Sequence, residues 1–172
     1  MKKIAVVILS VYLSLVFLMP KANLWFTLEK FLKKDSLIVS NEKVLDFWAF
    51  LNVKNGDLYF EDLKVAKISD MKAFPYLFYN LVTLKDISSS KDIKNVIDFK
   101  IDNIKIQNSV IKPFMIFLKG KGNIGSFSGF VDLKNKILKV VLIPSKTFKN
   151  NRSILRFFRK TKEGFVYEYG FK

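Results

Sequence analysis

The chain contains neither cysteine nor histidine, and each absence removes a class of chemistry. Without cysteine there is no disulfide framework, no thiol nucleophile and no lipid-modified cysteine anchor. Without histidine the commonest general base and the commonest zinc ligand are gone, so Ser–His–Asp and Cys–His catalysis are excluded. Acidic side chains are also scarce: 15 Asp and Glu stand against 30 Lys and Arg, giving a net charge of +15. Arginine contributes only Arg152, Arg156 and Arg159 to that excess. The surplus is therefore largely lysine, in a chain also rich in Ile and Asn. Such a balance favours anionic partners, namely phospholipid headgroups, acidic protein surfaces or nucleic acid, with nucleic acid ranked below the other two.

What is present is apolar. Half of the residues are hydrophobic, 15% are aromatic and 18 are Phe, which excludes a disordered chain. Residues Ile4–Pro20 carry no charge, and Lys2 and Lys3 precede them. The run predicts a transmembrane helix with its N-terminus in the cytoplasm, extended through Ala22–Phe26 if Lys21 snorkels. Cleavage as a secretory signal is the competing fate. It is disfavoured because Phe17–Ala22 lacks a small-x-small pair and the apolar core is long. In residues 22–34, Leu24, Trp25, Leu28, Phe31 and Leu32 recur near helical period. That spacing predicts an amphipathic juxtamembrane helix with Trp25 at headgroup level; a helix facing the core of the exported domain is the alternative. The expected division is an anchor and juxtamembrane helix over 1–34 and a β-rich periplasmic domain over 35–172.

Beyond Leu37 the hydrophobic period falls toward two. Ser36–Ser40, Val44–Val53, Asp57–Ile68, Phe114–Lys119, Ile124–Leu133, Ile137–Ile143 and Phe165–Phe171 read as strands. Met71–Leu84, with its Pro75, reads as an edge strand or a lipid-like surface. Val96–Gln107 alternates in two phases separated at Asp102-Asn103. Asn55-Gly56, Ser69-Asp70 and Asn135-Lys136 read as turns, Ser88–Ser90 as a loop, and a slip near Glu61-Asp62 as a bulge. Asn151 is a candidate N-cap for one helix near 151–161. The fold class is thus mainly β: an N-terminal transmembrane helix, then a curved antiparallel sheet of about eight strands with one C-terminal helix.

Few residues suggest chemistry. Glu61/Asp62 and Asp98/Asp102 are carboxylate pairs flanked by lysine at strand positions, where solvated faces are the simpler account. Gly120-x-Gly122-x-x-Gly125 has dinucleotide-fingerprint spacing but opens no helix, so it reads as a hairpin loop. The remaining candidate is a basic set, in which Arg152, Arg156 and Arg159 fall at i, i+4 and i+7 on one predicted helix face with Lys160 beside them. That row would hold phosphate or carboxylate groups; a plain solvated helix face is the alternative and the simpler account. No catalytic constellation, cofactor site or metal site is expected.

The N-terminal span ending at Met19-Pro20-Lys21, then Leu24-Trp25-x-x-Leu28-Glu29, Leu37–Ser40 and Asn55–Val65 resemble the opening of type II secretion system protein N. That family is similar in turn to AsmA-like envelope proteins. Gly125–Leu133 is of the same style. The resemblance implies a non-enzymatic, inner-membrane-anchored periplasmic β domain, an accessory to secretion or lipid handling, whose partners are other envelope, secretion or motor proteins and anionic phospholipid. A DNA-binding component of an uptake apparatus is the alternative that the charge suggests.

Overall fold

The computed structural model describes residues 2–146, 148 and 155–171. Two helices, α1 (Lys2–Leu18) and α2 (Lys21–Lys34), precede eleven strands that form one antiparallel sheet. The long strands β3 (Leu51–Phe60), β4 (Leu63–Pro75), β5 (Tyr79–Ser89), β6 (Lys100–Ser109), β7 (Lys112–Gly122), β8 (Gly125–Asp132) and β9 (Ile137–Pro144) form a meander in sequence order. At one edge β1 (Leu37–Ser40) and β2 (Lys43–Asp46) share β3, pairing with its second and first halves respectively. At the other edge β11 (Gly164–Gly170) pairs with β9, and β10 (Arg159–Thr161) pairs with β11. The two edges do not meet, so the sheet is open.

The mainly β class therefore stands, with more strands than the eight expected. β1 corresponds to the expected Ser36–Ser40 strand; the additions include β2, split off from the expected Val44–Val53 strand, and β10, which replaces expected helix. The C-terminal helix does not extend to residue 161. Residues 151–154, including Asn151 and Arg152, lie outside the described residues, and Arg159–Thr161 form β10 instead. A hairpin fixes that outcome: Thr161 Oγ1 donates to Gly164 O at 3.0 Å, and Gly164 takes a φ of +136°, which suits glycine.

The N-terminal segments differ from a continuous span. Among the described residues no single helix is long and apolar enough to cross a membrane; α1 and α2 pass that test only as a pair bent by 58°. The bend falls at Pro20, which cannot donate the backbone hydrogen bond that would continue α1. Past the bend, α2 lies on the sheet. The N-terminal amide of Ala22 donates to Asp46 Oδ2 on β2 at 2.9 Å, satisfying one of the free donors of the first turn. Trp25 is only 7% exposed and joins Leu51, Val53 and Met71 in the core cluster, so it is a core residue and not a headgroup anchor. Lys21 does not snorkel. It is 1% exposed, and its ammonium donates to Met19 O at 3.2 Å.

A crease crosses the first four long strands. Asn55 and Asp86 have φ of +57° and +49°, a left-handed conformation that Asn and Asp tolerate better than most residues. Asn55, Ser69, Asp86 and Asp102 lie in one cross-strand row that is missing from the ladders on either side. Ser69 Oγ donates to Asp86 O at 3.0 Å across this row. In a regular strand, Ile68 and Met71 would point to opposite faces, yet both pack against the Trp25 cluster. The crease resets the phase, so the apolar side chains keep to one face at a spacing of three: Ile68/Met71, Leu84/Ile87, Ile101/Ile104. It ends at β6–β7, where Asp102 is the extra residue of a bulge.

Several expected turns are thereby displaced. Asn55-Gly56 and Ser69-Asp70 lie inside β3 and β4, and Ser88-Ser89 complete β5. Glu61-Asp62 is the two-residue hairpin itself, with both φ positive as a type I′ turn requires; the bulge falls earlier, at Leu58/Tyr59. Val44–Val53 is not one strand: Phe47 and Phe50 exchange backbone hydrogen bonds and turn β2 into β3. Met71–Leu84 likewise spans the turn between β4 and β5, both of which are interior strands. The Gly120–Gly125 segment is the β7–β8 hairpin, closed by the pair Gly122↔Gly125. Gly120 has no Cβ because the ring of Phe127, its cross-strand partner, lies where one would stand.

Candidate binding site

Paired residues on antiparallel strands share a face, so the register sorts the sheet into two surfaces. One is apolar from edge to edge. The row Val53, Met71, Leu84, Ile104 continues through Gly120 and Phe127 to Leu142 and Phe165. Helix α2 covers only its β3–β4 end. The opposite surface is basic. Its row Lys72, Thr83, Lys105, Lys119, Ser128, Val141, Val166, Arg159 runs unbroken from β4 to β10.

On that basic surface β6–β9 enclose an open cavity of about 560 Å³. Lys105, Lys119 and Lys139 supply its cations, Phe117 and Phe130 an aromatic floor, and Gln107 and Ser128 neutral polar groups. Glu163, from the β10–β11 turn, reaches its margin. Lys105 and Lys119 are direct cross-strand partners, as are Phe117 and Phe130. Like charges placed opposite one another destabilise a sheet by roughly 0.2–1 kcal/mol. The only ion pair among the described residues is Lys64–Asp57, at 2.7 Å and away from the cavity. The three lysines make no ion pair, although Glu168 is the cross-strand partner of Lys139 and Glu163 lies at the margin, so the cavity carries a net positive charge beside two aromatic rings. The arrangement suits an anion with an apolar or planar portion, held by charge-assisted hydrogen bonds and cation–π contact. The same surface already uses such contacts internally, with Lys112 Nζ 5.8 Å from the Phe117 ring centre and Lys72 Nζ 5.7 Å from that of Phe50.

The basic residues singled out by helical spacing do not share one helix face. Arg152 lies outside the described residues. Arg156 is exposed in a turn, its guanidinium 5.0 Å from the Phe157 ring centre. Arg159 and Lys160 are adjacent strand residues and so point to opposite sides. Arg159 is brought into the cross-strand row of the cavity lysines, and with Phe157, Val166 and Glu168 it borders a neighbouring hollow of about 470 Å³. Lys160 pairs with Phe165 on the other surface. Sequence reasoning missed Lys105, Lys119 and Lys139. Their signal was alternation within a strand: Phe117-x-Lys119-x-Lys121 and Lys105-x-Gln107 put aromatic, cationic and amide groups on one face.

Two acidic groups outside the cavity are held below their usual range. Asp57 is lowered chiefly by its hydrogen bond from Lys64, and Asp132 by backbone and side-chain donation from Asn135 in the β8–β9 turn. Glu29 on α2 behaves oppositely. Burial, then the facing Glu42 carboxylate, raise its pKa to about 7. Its Oε1 and the Trp25 indole N–H, one helical turn apart, are both buried without a well-formed hydrogen bond.

No family model, no curated protein and no solved structure matches the chain.

Proposed function

We propose that the chain is an inner-membrane-anchored, periplasmic accessory protein of a cell-envelope machine, secretion-like or lipid-handling. It binds an anionic partner on the lysine-lined surface and catalyses nothing. One observation carries the reading. Along α1 the apolar side chains, among them Ile4, Val7, Ile8, Val11 and Leu15, are exposed, and only Val16 is buried. Each would gain about 1.5–3 kcal/mol on leaving water, which the sheet does not provide and a bilayer does. The 17 residues of α1 extend about 25 Å, a few Å short of a hydrocarbon core of about 30 Å, and local thinning closes such a gap at modest cost. Lys2 and Lys3 at its start favour a cytoplasmic N-terminus. The likeness to type II secretion system protein N and AsmA-like proteins points the same way.

Two measurements test this reading. Phosphatase fused after Lys172 is expected to be active, and a cytoplasmic reporter at that point inactive; the reverse pattern refutes the topology. Pull-down of the anchored protein in mild detergent is expected to recover envelope proteins or anionic phospholipid. The combined substitution Lys105→Gln, Lys119→Gln and Lys139→Gln removes about 1 kcal/mol per charge against an anionic membrane surface, or roughly a hundredfold in affinity at low salt. That loss shrinks as salt rises. Unchanged recovery from the triple variant refutes the site, and retention on DNA at physiological salt in place of envelope partners refutes the function in favour of DNA uptake.

A further inference from the structure

The hairpin turns at the two ends of the sheet differ in chemistry. Because the meander is antiparallel, the β2–β3, β4–β5, β6–β7 and β8–β9 turns all lie at one end. Their tips expose Trp48 (72%), Phe78 (63%), Val110, Ile111 (90%) and Leu133, with Phe114 just behind. Turns normally carry Gly, Asn, Asp and Ser; the β2–β3, β4–β5 and β6–β7 tips do not, whereas the β8–β9 turn keeps Asp132 and Asn135 behind and beyond Leu133. The opposite end carries polar turns at Glu61-Asp62, Lys91-Asp92, Asn123 and Lys162-Glu163; its exposed apolar residues are Val96 in the β5–β6 connection and, on the strands behind the turns, Phe60, Leu63 and Ile143.

The apolar end is also where α1 runs. Phe17 packs on Trp48 with ring centres 5.2 Å apart, and Tyr12 stacks on Phe78 at 5.4 Å. Tyr12 Oη donates to Tyr76 O at 3.0 Å. Tyr12 lies six residues before Leu18, the last residue of α1, which places the Phe78 tip about 9 Å along the helix from its end. A bilayer that receives α1 receives the Trp48 and Phe78 tips as well, and the Val110-Ile111 tip lies at the same end of the sheet. Exposed Lys112 follows the Val110-Ile111 tip, and exposed Lys134 and Lys136 lie beside Leu133 in the β8–β9 turn, within reach of anionic headgroups.

We propose that this apolar rim enters the leaflet adjoining the sheet, so that the sheet stands in the membrane surface on several hairpin tips and is not merely tethered above it. The occupant of the rim is acyl chain, and the occupant of the lysine collar is anionic phospholipid headgroup. The proposal rests on the reading of α1 as an anchor, but its test is separable from that reading.

The absence of cysteine makes every introduced one unique. Val6→Cys on α1, Phe78→Cys and Ile111→Cys on the rim, and Asn123→Cys at the far end would each be labelled with an environment-sensitive fluorophore. The full chain would be reconstituted in vesicles of phosphatidylcholine and phosphatidylglycerol. Expected for Phe78 and Ile111 are a blue-shifted emission, quenching by acyl-chain nitroxide lipid and protection from aqueous iodide, while Asn123 behaves as fully aqueous. Ile111 sits at a turn tip at 90% exposure, so its replacement spares the fold, and circular dichroism verifies this for each variant. Rim labels that iodide quenches as readily as Asn123, with Val6 protected, overturn the rim and leave the anchor standing. Protected rim labels with an accessible Val6 overturn the anchor and leave the rim as a peripheral membrane contact. Rim and Val6 labels all accessible overturn both.

Discussion

Raising the pH from 5 to 8 is expected to destabilise the packing of α2 on the sheet, through Glu29. Its pKa rises from 4.5 to about 7 on folding, first because the carboxyl is partly buried and then because Glu42 faces it. The folded state therefore binds the proton more tightly than the unfolded chain. Its contribution is fully present below about 4.5 and is lost as pH rises through 7. A shift of this size corresponds to about 3 kcal/mol at most, and solvent screening of a half-buried pair reduces the expectation to about 1–2 kcal/mol. Asp57 works in the opposite direction: its lowered pKa gives stability that is lost as pH falls through its folded value. Starting at pH 5 keeps that loss largely out of the window. The assay is urea unfolding of the full chain in detergent micelles, followed by circular dichroism, for the wild type and Glu29→Gln. The wild type should lose about 1–2 kcal/mol between pH 5 and pH 8, whereas Glu29→Gln should be flatter by that amount. Equal pH slopes in the two proteins would refute the reasoning.

Two further substitutions address the fold. Trp25→Ala removes the ring that joins α2 to Leu51, Val53 and Met71, and urea unfolding should report a loss of about 3–5 kcal/mol; a loss below about 1 kcal/mol would mean that α2 is held elsewhere. Asn55→Val forces a β-branched residue into a φ of +57° and should cost about 1–2 kcal/mol, whereas Asn55→Gly should be close to neutral in the same measurement, and equal costs for the two would refute a conformational role for Asn55.

The later strands β8, β9 and β11 were legible because each is a short, mostly apolar stretch flanked by polar turn residues. Ile137–Ile143 and the Asn135-Lys136 turn are the clearest cases. The first four long strands were harder because turn-forming residues sit in their interiors. Asn55-Gly56 and Ser69-Asp70 carry the local chemistry of a turn, and they do bend the backbone locally, but cross-strand pairing resumes on either side. The phase break at Asp102-Asn103 was the one part of this crease visible as periodicity, since Ile101 and Ile104 differ by three. Its continuation across β3–β5 required knowing which strands are neighbours. The helical grouping of the basic residues is displaced for a related reason. Helical spacing grouped Arg152, Arg156 and Arg159, but edge pairing with β11 overrode helix propensity at Arg159–Thr161. The lysines of the cavity come together only through cross-strand register.

The opposite inversion, strand-like residues in turns, has a functional reading. Phe47–Phe50, Tyr76–Phe78 and Val110-Ile111 are apolar enough to be read as strand interior, and they are hairpin tips. Local sequence and global fold agree in most of a natural chain, and exceptions concentrate where function imposes a cost. Here the exceptions share one end of the sheet, and two of them, Phe47–Phe50 and Tyr76–Phe78, also share α1 as a neighbour. A soluble meander would put Asn-Gly or Asp-Gly at such positions, as this chain does with acidic residues at Glu61-Asp62 on the far end. The short length of α1 acquires a reason in the same terms. A helix of about 25 Å under-fills a bilayer core of about 30 Å, and on the rim proposal apolar tips in the adjoining leaflet would supply hydrophobic surface where the helix ends. On the proposed membrane reading, anchor and rim meet the bilayer as one surface, with the lysine collar at headgroup height and the cavity of Lys105, Lys119 and Lys139 on the face of the sheet above it.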